Sequence, residues 1–240
     1  MSASCPVVLV HGAWHGAWCF AALQNELDAL GVPSYAIDLP GHGASAEPLC
    51  GLHGDAAHVA AVLRRLGAPA VLVGHSYGGA VVTQAAALHP EVAHLVYLAA
   101  FALADGESVN GLLRSLPRGR VALGEAMQAQ ADGTITLNPA LTAAAVYGEV
   151  PPATVEAALV RLSPQSQASF TDVVSGSPRE AIASTYVRCL RDDSVHITHQ
   201  DAMAARCGTT LTLDTGHSPF MSHPADTAAL LAAVVRQVTT

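Results

Sequence analysis

The feature that most constrains the fold is a regular alternation of short apolar runs with longer segments of helical pattern. The runs CPVVLV, PSYAID, APAVLVG and VAHLVYLAAF are separated by segments such as FAALQNELDALG and AAHVAAVLRRLG. Continuous apolar runs, as opposed to strictly alternating ones, are typical of strands that are covered on both faces, as in a parallel sheet wrapped by helices. The alternation therefore predicts an α/β fold.

The alternation stops after Phe101 and returns near residue 185 with STYVRCL, CGTTLTLD and a final helical segment, PADTAALLAAVVRQV. The stretch between them is richer in Pro, Gln and Ser and has only weak helical patterns. A chain of 240 residues is long enough for one sizeable core. We therefore expect a single domain over residues 1–240, with a core of 1–101 and 186–240 and a small helical cap insertion at 102–185.

Composition excludes several classes of function. The net charge is −8, and all 11 basic residues are scattered Arg, so nothing favours binding to nucleic acid or to an anionic membrane. No apolar run approaches the roughly 18 residues that a membrane span needs, and MSASCPVV lacks the features of a signal peptide. Five cysteines without CxxC spacing indicate reduced thiols and a cytoplasmic protein. The oligomeric state stays open, with a homodimer among the options, and no cofactor is expected.

The segment APAVLVGHSYGGAVVTQAAALHP contains a G-x-S-x-G motif from Gly74 to Gly78, with Ser76 at its centre. A bare match to this motif is often a surface loop, but here an apolar strand precedes it and an Ala-rich helix follows. A nucleophilic serine on a sharp strand-to-helix turn needs nearly side-chain-free neighbours, so that strand and helix can approach. The motif therefore predicts that Ser76 is a nucleophile.

A serine nucleophile needs a general base and an acid that orients it, and in this architecture they follow in the order Ser, Asp or Glu, His. LTLDTGHSPFMSHP ends a strand with a Gly-His turn, which favours His217 as the base over His223. The acid is less well defined, because Asp192 and Asp193 both follow the strand STYVRCL. Asp105 is a further candidate, whereas Asp214 lies too close to His217 on the same strand end. The candidates for the acid are therefore Asp192, Asp193 and Asp105.

The four letters HGAW occur twice in a row after the first strand, from His11 to Trp18. A zinc pair of His11 and His15 would need a third ligand and a helix that presents both side chains, so we expect no metal site. The turn after this strand is instead suited to donate a backbone N–H to an oxyanion. We expect the N–H groups of Ala13 and Tyr77 to form the oxyanion hole. His42, in the turn DLPGHG, has no evident partner in the sequence.

Together, VLVHGAWHGAW, DLPGHG, VGHSYGG, TYVRCLRDD and DTGHSPF resemble the α/β-hydrolase superfamily. The resemblance is to the branch of plant methylesterases, salicylate-binding esterases and hydroxynitrile lyases with their bacterial relatives, and it covers nearly the whole chain. It implies an α/β-hydrolase fold with a helical cap over an apolar pocket, and a catalytic triad of Ser76, Asp192 and His217. The substrate pocket is expected to include Gly12, Trp14, His75 and Ser218.

The sequence therefore predicts a serine esterase that cleaves a small carboxylic ester, such as a methyl ester of an aromatic or polycyclic acid. One alternative keeps the site but uses it for cyanohydrin lysis or for a tailoring cyclisation in secondary metabolism. In the cyanohydrin-cleaving members of this branch, a Lys follows the catalytic His and a Thr lies in the oxyanion loop. Here these positions are Ser218 and Gly12, and the chain has no Lys. The other alternative is a ligand receptor on the same scaffold without turnover.

Overall fold

A computed structural model describes residues 5–89, 91–117 and 119–239. Residues 1–4, 90, 118 and 240, which the expected domain range includes, lie outside the described residues. The described strands are β1 (Val7–Val10), β2 (Ser34–Ile37), β3 (Ala70–His75), β4 (Val92–Leu98), β5 (Met127–Ala129), β6 (Thr134–Leu137), β7 (Gln165–Ser166), β8 (Ser184–Cys189) and β9 (Thr209–Leu213).

Six of these strands form one sheet in the order β2-β1-β3-β4-β8-β9, and every pairing in it is parallel. The central strands β1 and β3 are buried along their whole length, whereas the edge strand β9 is largely exposed or half-buried. This difference explains why the apolar runs are continuous in the centre and why Thr alternates with apolar residues in TTLTL. The prediction of an α/β fold with a parallel sheet is confirmed.

Helices cover both faces of the sheet. The described helices are α1 (Ala21–Ala29), α2 (Leu52–Leu66), α3 (Gly78–Leu88), α4 (Val109–Ser115), α5 (Ala122–Ala126), α6 (Pro139–Tyr147), α7 (Pro152–Leu159), α8 (Ala168–Thr171), α9 (Ile197–Ala204), α10 (Pro219–Ser222) and α11 (Pro224–Thr239). One apolar cluster lies between the sheet and α2, α3 and α9, and a second lies between the opposite face and α1 and α11. These two clusters fix the sheet, so the loops that follow its carboxyl ends have a rigid support.

The insertion, residues 99–183 between β4 and β8, contains α4 to α8. It also contains an antiparallel sheet in the order β5-β6-β7, which the sequence analysis did not predict. These strands are only 2 to 4 residues long, too short for a hydrophobic period to be recognised. The last of these strands, β7, brings Gln165 against the loop that follows β1.

Within the described ranges, no helix has the length and the apolar character that a membrane crossing would require.

Candidate active site

Ser76 lies on the sharp turn between β3 and α3, with a backbone φ of 52°. A non-glycine residue in this left-handed region carries strain, which is a feature of serine nucleophiles at strand-to-helix turns. The two glycines of the motif allow the turn to close. A Cβ on Gly74 would lie 2.4 Å from the Gly78 carbonyl oxygen, and a Cβ on Gly78 would lie 2.5 Å from the Val10 carbonyl oxygen. Both positions therefore require glycine.

The loops after β8 and β9 bring Asp192 and His217 together in the buried interior. His217 Nδ1 lies 2.8 Å from Asp192 Oδ2, and the two side chains are 3% and 0% exposed. Asp192 Oδ1 accepts hydrogen bonds from the N–H groups of Ser194 at 2.7 Å and Val195 at 2.9 Å. Gln200 Nε2 donates to Asp192 Oδ2 at 3.0 Å. The carboxylate is thus fixed by four contacts, and it orients the imidazole so that Nε2 is left as a proton acceptor.

The other acidic candidates from the sequence lie in different surroundings. Asp193 is exposed, and the Asp105 carboxylate accepts a hydrogen bond from the Gly176 N–H at 2.7 Å. Asp214 is paired with Arg191 at 3.5 Å on the surface. The alternative base, His223, has its Nδ1 against its neighbour's hydroxyl, Ser222 Oγ. Among the described residues, Asp192 is the acidic side chain that contacts His217.

Two adjoining cavities meet at Ser76. The smaller, about 10 Å³, is lined by Ser76 and His217 together with the first turn of the β1 loop. The larger has a volume of about 150 Å³ and a mainly apolar wall. Its lining residues are Ala13, Trp14, Ser76, Tyr77, Phe101, Val109, Asn110, Leu113, Val121, Leu123, Gly124, Met127, Phe170, Ser194 and Val195. Ser76 therefore lines a pocket whose wall is formed by both the core and the insertion.

Ala13 and Tyr77, whose N–H groups are the expected oxyanion donors, line this pocket. Within the part of the chain that the structure describes, neither N–H donates to a protein acceptor. Unpaired backbone donors are uncommon in a protein interior, and here they leave two donors for a ligand oxygen. A Cβ on Gly12 would lie 2.9 Å from Ser76 Cβ, so glycine is needed for the close approach of the two loops.

The expected pocket residues divide into two groups. Trp14 lines both cavities, while Gly12 and His75 line only the smaller one. His75 Nε2 donates to the His217 carbonyl oxygen at 2.9 Å, so it supports the backbone of the candidate base. Ser218 does not line either cavity, because its hydroxyl donates to the Val146 carbonyl oxygen at 2.9 Å. Ser218, which was expected in the substrate pocket, is therefore not part of the wall of either cavity.

The two histidines of the HGAW repeat bind protein atoms. His11 Nδ1 donates to the Gly12 carbonyl oxygen and its Nε2 accepts from the Leu39 N–H. His15 Nδ1 donates to the Ala13 carbonyl oxygen and its Nε2 lies 2.6 Å from the Tyr147 hydroxyl. Burial lowers the pKa of His15 to about 4, so it is neutral at pH 7. No group of metal-binding side chains occurs among the described residues.

Two buried polar side chains near the site were not identified from the sequence. Asp55, on α2, accepts a hydrogen bond from the Tyr77 hydroxyl at 2.6 Å, and burial raises its pKa to about 7. The sequence does contain a signal for the burial of Asp55, because this residue falls on the apolar stripe of α2 with Leu52, Ala56 and Val59. Gln165 is fully buried and contacts His42, whose partner the sequence did not indicate. No sequence signal distinguishes Gln165 from its exposed neighbours.

Comparison with known proteins shows which family the chain resembles. The alpha/beta hydrolase family model matches residues 7–230. A pFDCC methylesterase of Arabidopsis thaliana is 27% identical over 250 residues, which cover 93% of this chain and 92% of that protein. A putative chloroplastic methylesterase of the same plant is also 27% identical, over 237 residues and 90% of this chain. The chain spans about half of that second protein, since the match covers 53% of it.

Solved structures agree with the sequence relatives. The crystal structure of a pyrethroid hydrolase from Sphingobium faniae JZ-2 superposes with a TM-score of 0.86 at 25% identity, covering 97% of each chain. The family model matches most of the chain, and the fold is shared with this solved structure. The chain belongs to the alpha/beta hydrolase family.

Proposed function

We propose that the protein is a carboxylic ester hydrolase that works through an acyl-enzyme on Ser76. The observation that carries this proposal is the buried 2.8 Å contact of His217 with Asp192, beside a strained serine that lines the same cavity as His217. The names of the relatives support the same reaction class, since they include methylesterases and a pyrethroid hydrolase. The proposed cap, residues 102–185 without the β8 residues Ser184 and Thr185, roofs the cavity through α4, α5 and α8.

In the proposed reaction, Ser76 Oγ attacks the ester carbonyl carbon while His217 Nε2 takes its proton. The negative charge that forms on the carbonyl oxygen is stabilised by the N–H groups of Ala13 and Tyr77. The alcohol then leaves with the proton from His217. A water molecule gives a proton to His217 and attacks the acyl carbon, which releases the acid and restores the Ser76 hydroxyl. Asp192 orients His217 throughout.

The cavity also bears on the substrate class. Its volume of about 150 Å³ and its apolar wall are suited to one aromatic ring, because apolar cavities of roughly that size bind benzene. A monocyclic aryl or short alkyl group therefore suits the part of the substrate that enters the cavity. The sequence predicted a methyl ester of an aromatic or polycyclic acid. We propose a small ester in which the group inside the cavity has at most one ring.

The geometry also bears on the lyase alternative. Departing cyanide develops negative charge in a dry pocket, where a nearby cation lowers the barrier. The chain has no Lys, and the residue after His217 is turned away from both cavities. Hydrolysis is thus favoured over cyanohydrin lysis.

The test compares phenyl acetate and methyl benzoate with methyl naphthoate, using wild type and Ser76→Ala. We expect hydrolysis of the monocyclic esters and a loss of about three orders of magnitude or more in Ser76→Ala. A fluorophosphonate should add to the wild type at Ser76, as detected by peptide mass spectrometry. Labelling at another residue, or a Ser76→Ala variant that keeps most of its rate, would show that the proposal is wrong.

A further inference from the structure

Trp14 is held by the insertion through all three of its hydrogen-bonding groups. Its N–H donates to Gln165 Oε1 at 3.0 Å, and its carbonyl oxygen accepts from the Ser163 N–H at 2.9 Å. Its indole N–H donates to the Ile135 carbonyl oxygen at 2.8 Å. The loop after β1 is therefore fixed from the side of the insertion as well as from the core.

This attachment acts on a strained part of the backbone. Trp14 has a φ of 65°, a left-handed conformation that is strained for a non-glycine residue. Such a conformation persists only where the surroundings impose it. Trp14 directly follows Ala13, whose N–H is one of the proposed oxyanion donors. The Trp14 N–H belongs to the peptide on the carboxyl side of Ala13, and its contact with Gln165 fixes that peptide. The Ala13 N–H belongs to the preceding peptide, whose Gly12 carbonyl oxygen accepts a hydrogen bond from His11 Nδ1 at 2.8 Å. Because the two peptides share the Ala13 Cα, the contact at Trp14 limits the backbone rotation at Ala13 that would turn its N–H away from the pocket.

Gln165 is the buried side chain that makes this contact. The Trp14 N–H can only donate, and it thereby identifies the end of the Gln165 amide that faces it as the oxygen. The same oxygen lies 2.9 Å from His42 Nε2, and the amide nitrogen donates to Ser169 Oγ at 2.7 Å. Ser169 lies on α8, next to Phe170, whose ring packs against the Tyr77 ring with the ring centres 5.9 Å apart. Gln165 is thus a buried link between the loop after β1 and α8 of the insertion.

We propose that Gln165 is a positioning residue for the oxyanion hole, so that the insertion sets the geometry of the reaction as well as enclosing the substrate. This inference rests on the proposed ester hydrolysis. Gln165 does not line the cavity, so it acts through Trp14 and not through substrate. Its loss should weaken stabilisation of the transition state while leaving substrate binding nearly unchanged.

The experiment uses three variants of the full chain. Gln165→Met keeps the length of the side chain and removes its hydrogen-bonding atoms. Gln165→Glu keeps an oxygen acceptor for the Trp14 N–H. Gln167→Ala is the matched control, since it removes an exposed glutamine two residues further along the insertion. Each is assayed with phenyl acetate well below the melting temperature of the least stable variant, alongside Ser76→Ala.

We expect Gln165→Met to lower kcat by about 10- to 100-fold with KM changed by less than about threefold, since removal of an oxyanion donor costs about 10²–10³. Gln165→Glu should recover most of this loss, and Gln167→Ala should match wild type. The affinity for a phenyl trifluoromethyl ketone, which forms a tetrahedral adduct, should fall in parallel with kcat. A merely structural role would lower the melting temperature without this parallel.

The outcomes separate the two proposals. If Ser76→Ala is inactive while Gln165→Met keeps kcat within twofold, or changes KM alone, the positioning role is wrong and ester hydrolysis stands. If Gln165→Glu loses as much kcat as Gln165→Met, the acceptor is not what matters and the inference is overturned. If Ser76→Ala keeps the wild-type rate, both proposals fail.

Discussion

Replacing Asp192 with Asn tests the proposed triad at the point where the structure is most specific. Asp192 Oδ1 accepts two backbone N–H groups, from Ser194 and Val195, so an Asn must place its carbonyl oxygen there. Its NH₂ then takes the position of Oδ2, which lies 2.8 Å from His217 Nδ1. His217 can only accept from that NH₂. The proton of the neutral imidazole therefore moves from Nδ1 to Nε2. A protonated Nε2 can no longer accept the proton of the Ser76 hydroxyl.

The size of the effect follows from this change of tautomer. An Asn at the acid of a serine-protease triad lowers kcat by about 10⁴-fold, equivalent to about 5 kcal/mol in the activation barrier. In addition, the NH₂ would face Gln200 Nε2 at the 3.0 Å distance now made by Oδ2. Gln200 cannot simply turn over, because its Oε1 accepts from the Cys189 N–H at 2.9 Å. Two facing donors should cost a further roughly 1–3 kcal/mol of folding stability.

The matched control is Asp193→Asn, because this neighbouring carboxylate is exposed. We expect Asp192→Asn to lose at least about 10³-fold in kcat for phenyl acetate and to melt at a lower temperature. Asp193→Asn should stay within twofold of wild type in both measurements. Similar losses in the two variants, or full activity in Asp192→Asn, would refute the assignment of the acid.

Three further predictions concern the surroundings of the site. Gly12→Ala should lower kcat by at least about tenfold, because its Cβ would lie 2.9 Å from Ser76 Cβ, whereas Gly208→Ala meets its nearest neighbour at 3.5 Å and should be silent. Wild type should release no cyanide from mandelonitrile above background, as followed by a cyanide assay; efficient release would overturn the esterase proposal. Between pH 4 and 7 the folded state keeps a proton on Asp55 that the unfolded state has released, because burial raises the pKa from 3.8 to about 7. The free energy of unfolding of wild type, relative to that of Asp55→Asn, should therefore fall as pH rises through this window. Urea titrations should show a fall of at most about 4 kcal/mol. A difference between the two proteins that does not change with pH would contradict the effect of burial on the pKa of Asp55.

Much of the fold could be predicted because its signals are local. The runs that form β1, β3 and β4 are apolar at successive positions, and this pattern depends only on burial of both strand faces. The serine turn is equally local, since Gly74 and Gly78 are required within one turn of chain. Glycine, a strand before it and a helix after it were sufficient to predict where Ser76 would lie.

The partners of Ser76 depend on contacts between distant segments, and the sequence alone left some of them open. Asp192 and Asp193 are adjacent acids on one loop, and only the direction of the chain after β8 buries one and exposes the other. Ser218 was expected in the pocket because it follows His217, but the turn directs its hydroxyl to Val146. Sequence neighbours thus differ in role because their side chains leave the loop in different directions.

The sequence by itself determined the sheet, its helices and the place of the candidate nucleophile, because periodicity and glycine requirements act over a few residues. Only the tertiary structure decided how the insertion engages the site. Gln165 is 151 residues from Trp14 in the chain, and the strand that carries it is 2 residues long. No local pattern identifies such a contact, since it exists only when the antiparallel sheet of the insertion packs against the loop after β1 and excludes water from the hydrogen bond.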